Sequence, residues 1–235
     1  MAAVAAMGPL RRIGRGVQRP VDVPVPVATP AAPKVRPVRP VLLVHGWAGT
    51  TAGWFALTDA LHARGVTVAA MSYRPFGTSV EQLAERLADS VSDLLSETGA
   101  DKVHLVGHSL GGVVIAQAFA DGLLAGRVDS VVTMAAPFGG SPWANLLPVG
   151  ATVRSLRHGS PLLRRLARAP VPDGVRWLAI TATSDLIVPG RRSVPAHAEV
   201  QTMTVDGVGH SGLLLSSHVV GSIVAALPTH EQAVA

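Results

Sequence analysis

The run Lys102 to Ala120, KVHLVGHSLGGVVIAQAFA, constrains this chain more than any other. An apolar, strand-like segment enters Gly107-His108-Ser109-Leu110-Gly111 and leaves as an Ala/Val-rich helical segment. A serine between two glycines at such a junction sits where the backbone bends too sharply for neighbouring side chains. Its hydroxyl then projects beyond the end of the strand, near the helix's unpaired N–H groups, which favour developing negative charge. Bare G-x-S-x-G is only moderately specific, but strand, turn and helix in this order make Ser109 a candidate nucleophile.

The rest of the chain supplies the architecture such a turn needs. From Pro40 onward, apolar runs alternate with helical patterns, which predicts a parallel sheet with crossover helices on both faces. Strands are expected at Val41–Val44, Val66–Met71, Val103–Val106, Ser130–Met134, Arg176–Thr181 and Glu199–Val205, about six in all. Most are continuous apolar runs, as befits strands covered on both sides. Between Ser79 and Thr98, Leu83, Leu87, Val91, Leu94 and Leu95 form one apolar helix face. Glu81, Glu85, Asp89, Asp93 and Glu97 repeat on a solvated side, which reads as a wet helix face rather than a metal stripe.

Charge divides the chain in two. Residues 1–40 hold seven basic residues against Asp22 alone, a net +6, while the remainder is −1. The whole excess therefore lies in a Pro/Arg-rich segment, 1–39, read as a flexible tail preceding a catalytic domain over 40–230. A nucleic-acid partner is not indicated. The tail reads as a solvated linker, with contact to an anionic surface as the alternative. Cysteine is absent, which excludes disulfides, thiolate metal sites and cysteine nucleophiles. Only Lys34 and Lys102 are lysines, a bias that suggests a GC-rich bacterial coding sequence. The opening MAAVAAMGPL is short and its arginines follow it, so no export signal is read there, and no run is long enough for a membrane span. An upstream leader would make the protein secreted or envelope-associated; otherwise it is expected in the cytoplasm.

A serine hydroxyl needs a base. His210, in VDGVGHSGLL, follows the last strand in a glycine-flanked loop. His197 precedes that strand, His218 falls in the final helical pattern and His230 near the end of the chain, so His210 is selected. His45 and His108 read as wall residues. The acid that fixes the imidazole is expected at Asp185, which ends the strand VRWLAITATSD; Asp206 is too near His210 and Asp173 lies at the opposite strand end. The order Ser109, Asp185, His210 is that of α/β-hydrolases. The backbone N–H of Leu110 and that of Trp47, in VLLVHGWAGT, are the expected oxyanion donors. Neither metal nor cofactor enters this chemistry.

The pieces VHGW, GHSLGG, SD.IVP (Ser184-Asp185, then Ile187-Val188-Pro189) and GVGHSGLL resemble the small bacterial α/β-hydrolase lipases. GVGHSGLL is particularly similar to compact, nearly lidless Bacillus-type lipases and their actinobacterial relatives. The resemblance covers about Pro40 to Pro228. It implies an α/β-hydrolase fold with a minimal lid and hydrolysis of a lipid or other carboxylic ester by Ser109, Asp185 and His210, with Trp47 and Leu110 as oxyanion donors; a monomer is expected. One departure is the glycine at 107, where the Bacillus enzymes carry alanine. Between Met134 and Arg176 the connection is long, and Phe138, Trp143, Leu146 and Leu147 are the candidates to line an acyl-chain cleft or a flap. Leu162, Leu163 and Leu166 either join that cleft or pack a short helix onto the sheet, with Arg164, Arg165 and Arg168 turned to water. A cationic rim of this kind suits contact with an anionic lipid surface. A short-chain esterase, thioesterase or acyltransferase with the same triad, and a non-catalytic lipid binder, are the alternatives.

Overall fold

Six parallel strands in the order β2-β1-β3-β4-β5-β6 form the core of the chain. The computed structural model describes residues 38–47, 49–146 and 150–228. Most of the tail read over 1–39, and the candidate cleft residue Leu147, lie outside the described residues.

The strands are β1 (Val41–Val44), β2 (Val68–Met71), β3 (Val103–His108), β4 (Val128–Met134), β5 (Arg176–Ala182) and β6 (Gln201–Val205). All six follow the apolar runs, and the differences are at their ends. Val66 is buried but its N–H caps the preceding helical turn through the Leu61 carbonyl, so β2 starts two residues later. Val200 likewise turns back onto the His197 carbonyl before β6 begins. At the other end of β3, Gly107 and His108 stay in register with Thr133 and Met134, carrying the strand right up to Ser109.

The helices are α1 (Phe55–His62), α2 (Val80–Thr98), α3 (Leu110–Ala120), α4 (Trp143–Leu146), α5 (Ala151–Ser155), α6 (Pro161–Leu166) and α7 (Ser217–Ala226). Helix α2 starts in a reciprocal capping box, Ser79 with Gln82, and stops at Gly99 with φ of 67°. Leu57 and Leu61 of α1 and Val219, Ile223 and Val224 of α7 share one apolar cluster with Leu43 and Val106. On the opposite face, α2 and α3 pack Leu83, Leu87, Val91, Leu110, Val114 and Ile115 against Leu42 and Leu105. Full burial of each such side chain stabilises by roughly 1.5–3 kcal/mol. The leucines of α6 belong to this second cluster, so they pack the helix onto the sheet.

The strand order changes direction between β1 and β3. Ligands of open α/β sheets bind beyond the carboxyl ends of the strands at such a switch point, and there the chain places Gly46-Trp47 after β1 and Ser109 after β3.

Candidate active site

Ser109 has φ of 54° and ψ of −121°, a conformation that costs a non-glycine residue on the order of 1–3 kcal/mol. The buried apolar residues of β3 and α3 on either side over-determine it. Its own N–H donates to the Met134 carbonyl at 2.8 Å, tying the turn to β4. Glycine is required around it because the backbones nearly touch. A Cβ on Gly107 would lie 2.7 Å from the Gly112 nitrogen, and one on Gly111 would overlap the Val44 carbonyl. One on Gly46 would stand 2.9 Å from the Ser109 Cβ, which shows how closely the loop after β1 approaches the serine.

His210 stands on the loop after β6, beside the residue that precedes the serine. Its Nδ1 lies 2.7 Å from Asp185 Oδ2. A carboxylate only accepts, so Nδ1 is the ring nitrogen whose N–H donates to Asp185. The other carboxylate oxygen, Oδ1, accepts from the backbone N–H groups of Ile187 and Val188, both at 2.8 Å. Burial by itself would raise the Asp185 pKa, but the hydrogen bonds from His210, Val188 and Ile187 together hold it below the ordinary carboxylate value. The Asp185 side chain has no exposed surface and His210 retains 13%.

His108 links the two halves of the site. Its Nε2–H donates to the backbone carbonyl of His210 at 3.0 Å, and the two rings stand 4.8 Å apart. Burial, then the neighbouring His210, lower its pKa to about 4, so it is a neutral donor at working pH. The residue before the serine thus holds the backbone of the histidine, a bond that no spacing in the sequence announces. His45 stacks on Tyr73 at 4.1 Å and donates its Nδ1–H to the Gly46 carbonyl, while the Tyr73 hydroxyl donates to the His45 carbonyl. The loop after β1 is thereby braced from below.

The two amides expected as oxyanion donors lie at the start of α3 and on the loop after β1. Leu110 opens α3, so its N–H has no acceptor one turn back. The N–H of Trp47 has no partner among the described residues. The Trp47 ring leans on Phe76 at 4.9 Å, and together with His45, Tyr73 and Thr50 they border an open groove of about 430 Å³.

The other sequence candidates scatter. Trp143 is 45% exposed and its indole N–H donates to the Leu186 carbonyl at 3.0 Å; Ser141 Oγ donates to the Ile187 carbonyl at 2.6 Å. These two bonds hold the loop that carries Asp185. Leu146 is 71% exposed, and Phe138 turns away to meet Trp177 edge-on at 6.2 Å. Sequence reasoning missed Phe76, Leu186, Ile187 and Leu215. They are exposed apolar side chains on the connections that follow β2, β5 and β6, as Trp143 and Leu146 are on the one that follows β4. Their one signal in the sequence is an apolar residue inside a loop.

A family model described as alpha/beta hydrolase fold matches residues 39–181. The match holds Trp47, Ser109 and Leu110 and ends before Asp185 and His210. Two bacterial proteins named triacylglycerol lipase, from Pseudarthrobacter phenanthrenivorans and Burkholderia plantarii, are each 34% identical over 116 residues, 46% of this chain. Those segments are 36% and 32% of the two proteins, so the chain spans about a third of the length of the curated relatives it matches. Among solved structures, the mature form of a Bacillus licheniformis lipase superposes with a TM-score of 0.72 at 16% identity, covering 89% of this chain and 96% of that one. At that identity the likeness is one of fold. No helix among the described residues is long and apolar enough to cross a membrane.

Proposed function

The chain belongs to the α/β-hydrolase fold family, and on that premise we propose that it is a serine carboxylester hydrolase of the lipase kind. One observation carries the reading: a serine on a strained turn at the switch point, tied through His108 to a histidine whose Nδ1 is bonded to a buried aspartate. Ser109 Oγ attacks the ester carbonyl while His210 Nε2 takes its proton. The N–H groups of Trp47 and Leu110 receive the oxyanion, a contribution worth on the order of 100- to 1000-fold in rate per donor. His210 then protonates the departing alcohol, leaving an acyl group on Ser109, and next activates the water that releases the acid. Asp185 stabilises the imidazolium at both stages without taking its proton.

The substrate class follows from the rim. Phe76, Trp143, Leu146, Leu186, Ile187 and Leu215 are exposed apolar side chains on the connections that leave the C-terminal ends of four strands, the edge that carries Ser109, and we read them as a collar at its mouth. Such a collar favours a lipid ester delivered at an apolar interface over a small polar ester. The names of the two curated relatives point the same way.

Hydrolysis of p-nitrophenyl esters of increasing acyl length, with Ser109→Ala beside the wild type, tests both parts. Turnover that rises with chain length and vanishes in the variant is expected. A preference for the shortest acyl groups would reduce the reading to a general esterase. A folded wild type that turns over none of them, and does not react with a fluorophosphonate, would overturn it.

A further inference from the structure

Right-handed crossovers put the β3–β4, β4–β5 and β5–β6 connections on one face of the sheet, the face of α2 and α3. The last of these connections, residues 183–200, holds only a single 3-10 turn at Gly190–Ser193. This crossover therefore lays no helix beside α6 over β5, and a cavity of about 290 Å³ remains. Ala116 and Phe119 of α3, Leu166 of α6, Trp177 of β5, Phe138 and Pro195 form its walls. Phe119 and Phe138 meet Trp177 at 6.0 and 6.2 Å. Trp47, Ser109, Leu110, Asp185 and His210 take no part in the lining.

A second, more open groove of about 700 Å³ adjoins it, sharing Phe119, Ala120, Ala169 and Pro170, and is bordered by Arg164, Arg165 and Arg168. Arg165 is engaged by Asp121, and Arg164 donates to the Gly159 carbonyl. Arg168 has no ion pair or side-chain hydrogen bond among the described residues. No carboxylate lines either space, and Arg191 and His197 stand at the other margin of the cavity.

We propose that the cavity and groove together form a second ligand site, apart from the catalytic mouth, for a single-chain anionic amphiphile: a long-chain carboxylate with its alkyl chain between Phe119 and Trp177 and its head on Arg168. Two properties of the site select that occupant. An apolar cavity of about 150 Å³ accepts a benzene ring, so this one takes a flexible chain of several carbons but not a two-chain lipid. The free guanidinium beside it supplies a charge-assisted, two-pronged contact for a carboxylate. An uncharged alcohol of equal length satisfies only the apolar half. The site is independent of whether Ser109 hydrolyses esters, although such hydrolysis would release this kind of molecule.

Isothermal titration of the full chain with octanoate, decanoate and laurate, below their micelle concentrations, tests the proposal, with dodecanol and phosphatidylglycerol vesicles as parallel ligands. One carboxylate per chain is expected, tightening about four-fold per added methylene until the cavity is filled. Dodecanol should bind at least five-fold more weakly than laurate. Arg168→Glu, an exposed change that leaves short-ester turnover intact, should weaken laurate at least ten-fold and leave dodecanol unchanged. Ala116→Leu, which fills the cavity, should weaken both. Absence of saturable laurate binding, or binding that ignores both substitutions, would overturn the site. Binding to the vesicles without binding to monomeric laurate would overturn it too, in favour of a surface contact.

Discussion

Among the described residues two histidine–aspartate pairs stand at opposite edges of the same sheet, and the proposed function makes a base of the one at the C-terminal edge. At the C-terminal edge, His210 Nδ1 is 2.7 Å from Asp185. At the N-terminal edge, His104 Nδ1 is 3.7 Å from Asp129, and that ring is wholly buried. The residue types are the same, and the difference lies in what else each group holds. Asp185 takes two backbone amides, neutral dipoles that orient it and leave its charge for the imidazole. Asp129 takes Arg39 at 2.8 Å, Arg176 and the Ser130 hydroxyl, so its charge is already matched by two cations. The second ring nitrogen differs as well. Nε2 of His104 donates to the Pro228 carbonyl at 3.1 Å, whereas Nε2 of His210 has no partner among the described residues. Burial accordingly lowers the His104 pKa despite the nearby carboxylate. A histidine becomes a base when its carboxylate is uncancelled and its other nitrogen is unclaimed. The opposite pair fastens Arg39, at the start of the described chain, and Pro228, at its end, to β3 and β4.

Removing either member of each pair should expose that division most sharply. Asp185→Asn preserves shape but supplies an amide where the imidazole needs an anion, and kcat for ester hydrolysis should fall on the order of 10⁴-fold. His210→Ala should lose at least as much, and both should keep the wild-type melting temperature to within a few degrees. Asp129→Asn and His104→Ala should do the reverse. Their kcat stays within about three-fold, while Asp129→Asn leaves two guanidiniums without their anion and lowers unfolding free energy by about 1–3 kcal/mol. Urea denaturation beside steady-state kinetics reads both quantities. An Asp129 variant that loses activity while keeping its stability would break the comparison.

How much of this could be read from residues alone depended on distance along the chain. The turn at Ser109 is written in consecutive residues: an apolar strand, two glycines, and a helix of small and apolar residues. The strands follow for the same reason, since continuous apolar runs survive without knowing their neighbours. Asp185 and His210 were reachable because parallel strands put all their C-terminal ends on one edge, so loop position stood in for proximity. That argument stops where register and packing decide. Arg39 reads as part of a tail, yet it is bound to Asp129 and Asp101, because only the pairing of β3 with β4 brings those carboxylates to it. Trp143 reads as a cleft residue, and nothing in its neighbours along the chain announces that its indole N–H finds a loop carbonyl 43 positions away. The cavity at Trp177 exists because a crossover lacks a helix, and what a missing helix leaves open depends on the size of everything around it.

The smallest expected effect concerns His108, which belongs to neither pair and touches one of them. Its folded pKa of about 4 lies below the ordinary histidine value near 6.5. Between those values the unfolded chain binds the extra proton and the folded chain does not, so stability rises with pH across that window. This group's contribution is complete above about pH 6.5 and lost as pH falls through 4, about 3 kcal/mol in all. His104, also lowered, adds a slope of the same sign, so the difference between wild type and a variant isolates His108. His108→Gln keeps an N–H for the His210 carbonyl but cannot titrate. Its unfolding free energy should be flatter from pH 6.5 to 4, and its kcat at pH 8 should stay within about five-fold of wild type. His108→Leu also removes the donor, leaving the carbonyl of the histidine unpaired, and should lower kcat about ten-fold with little change in KM. If the two variants lose activity equally, His108 merely fills space. If glutamine restores what leucine loses, the bond from the residue before the serine is what holds the base at the elbow, and the catalytic edge needs it as the opposite edge needs its arginines.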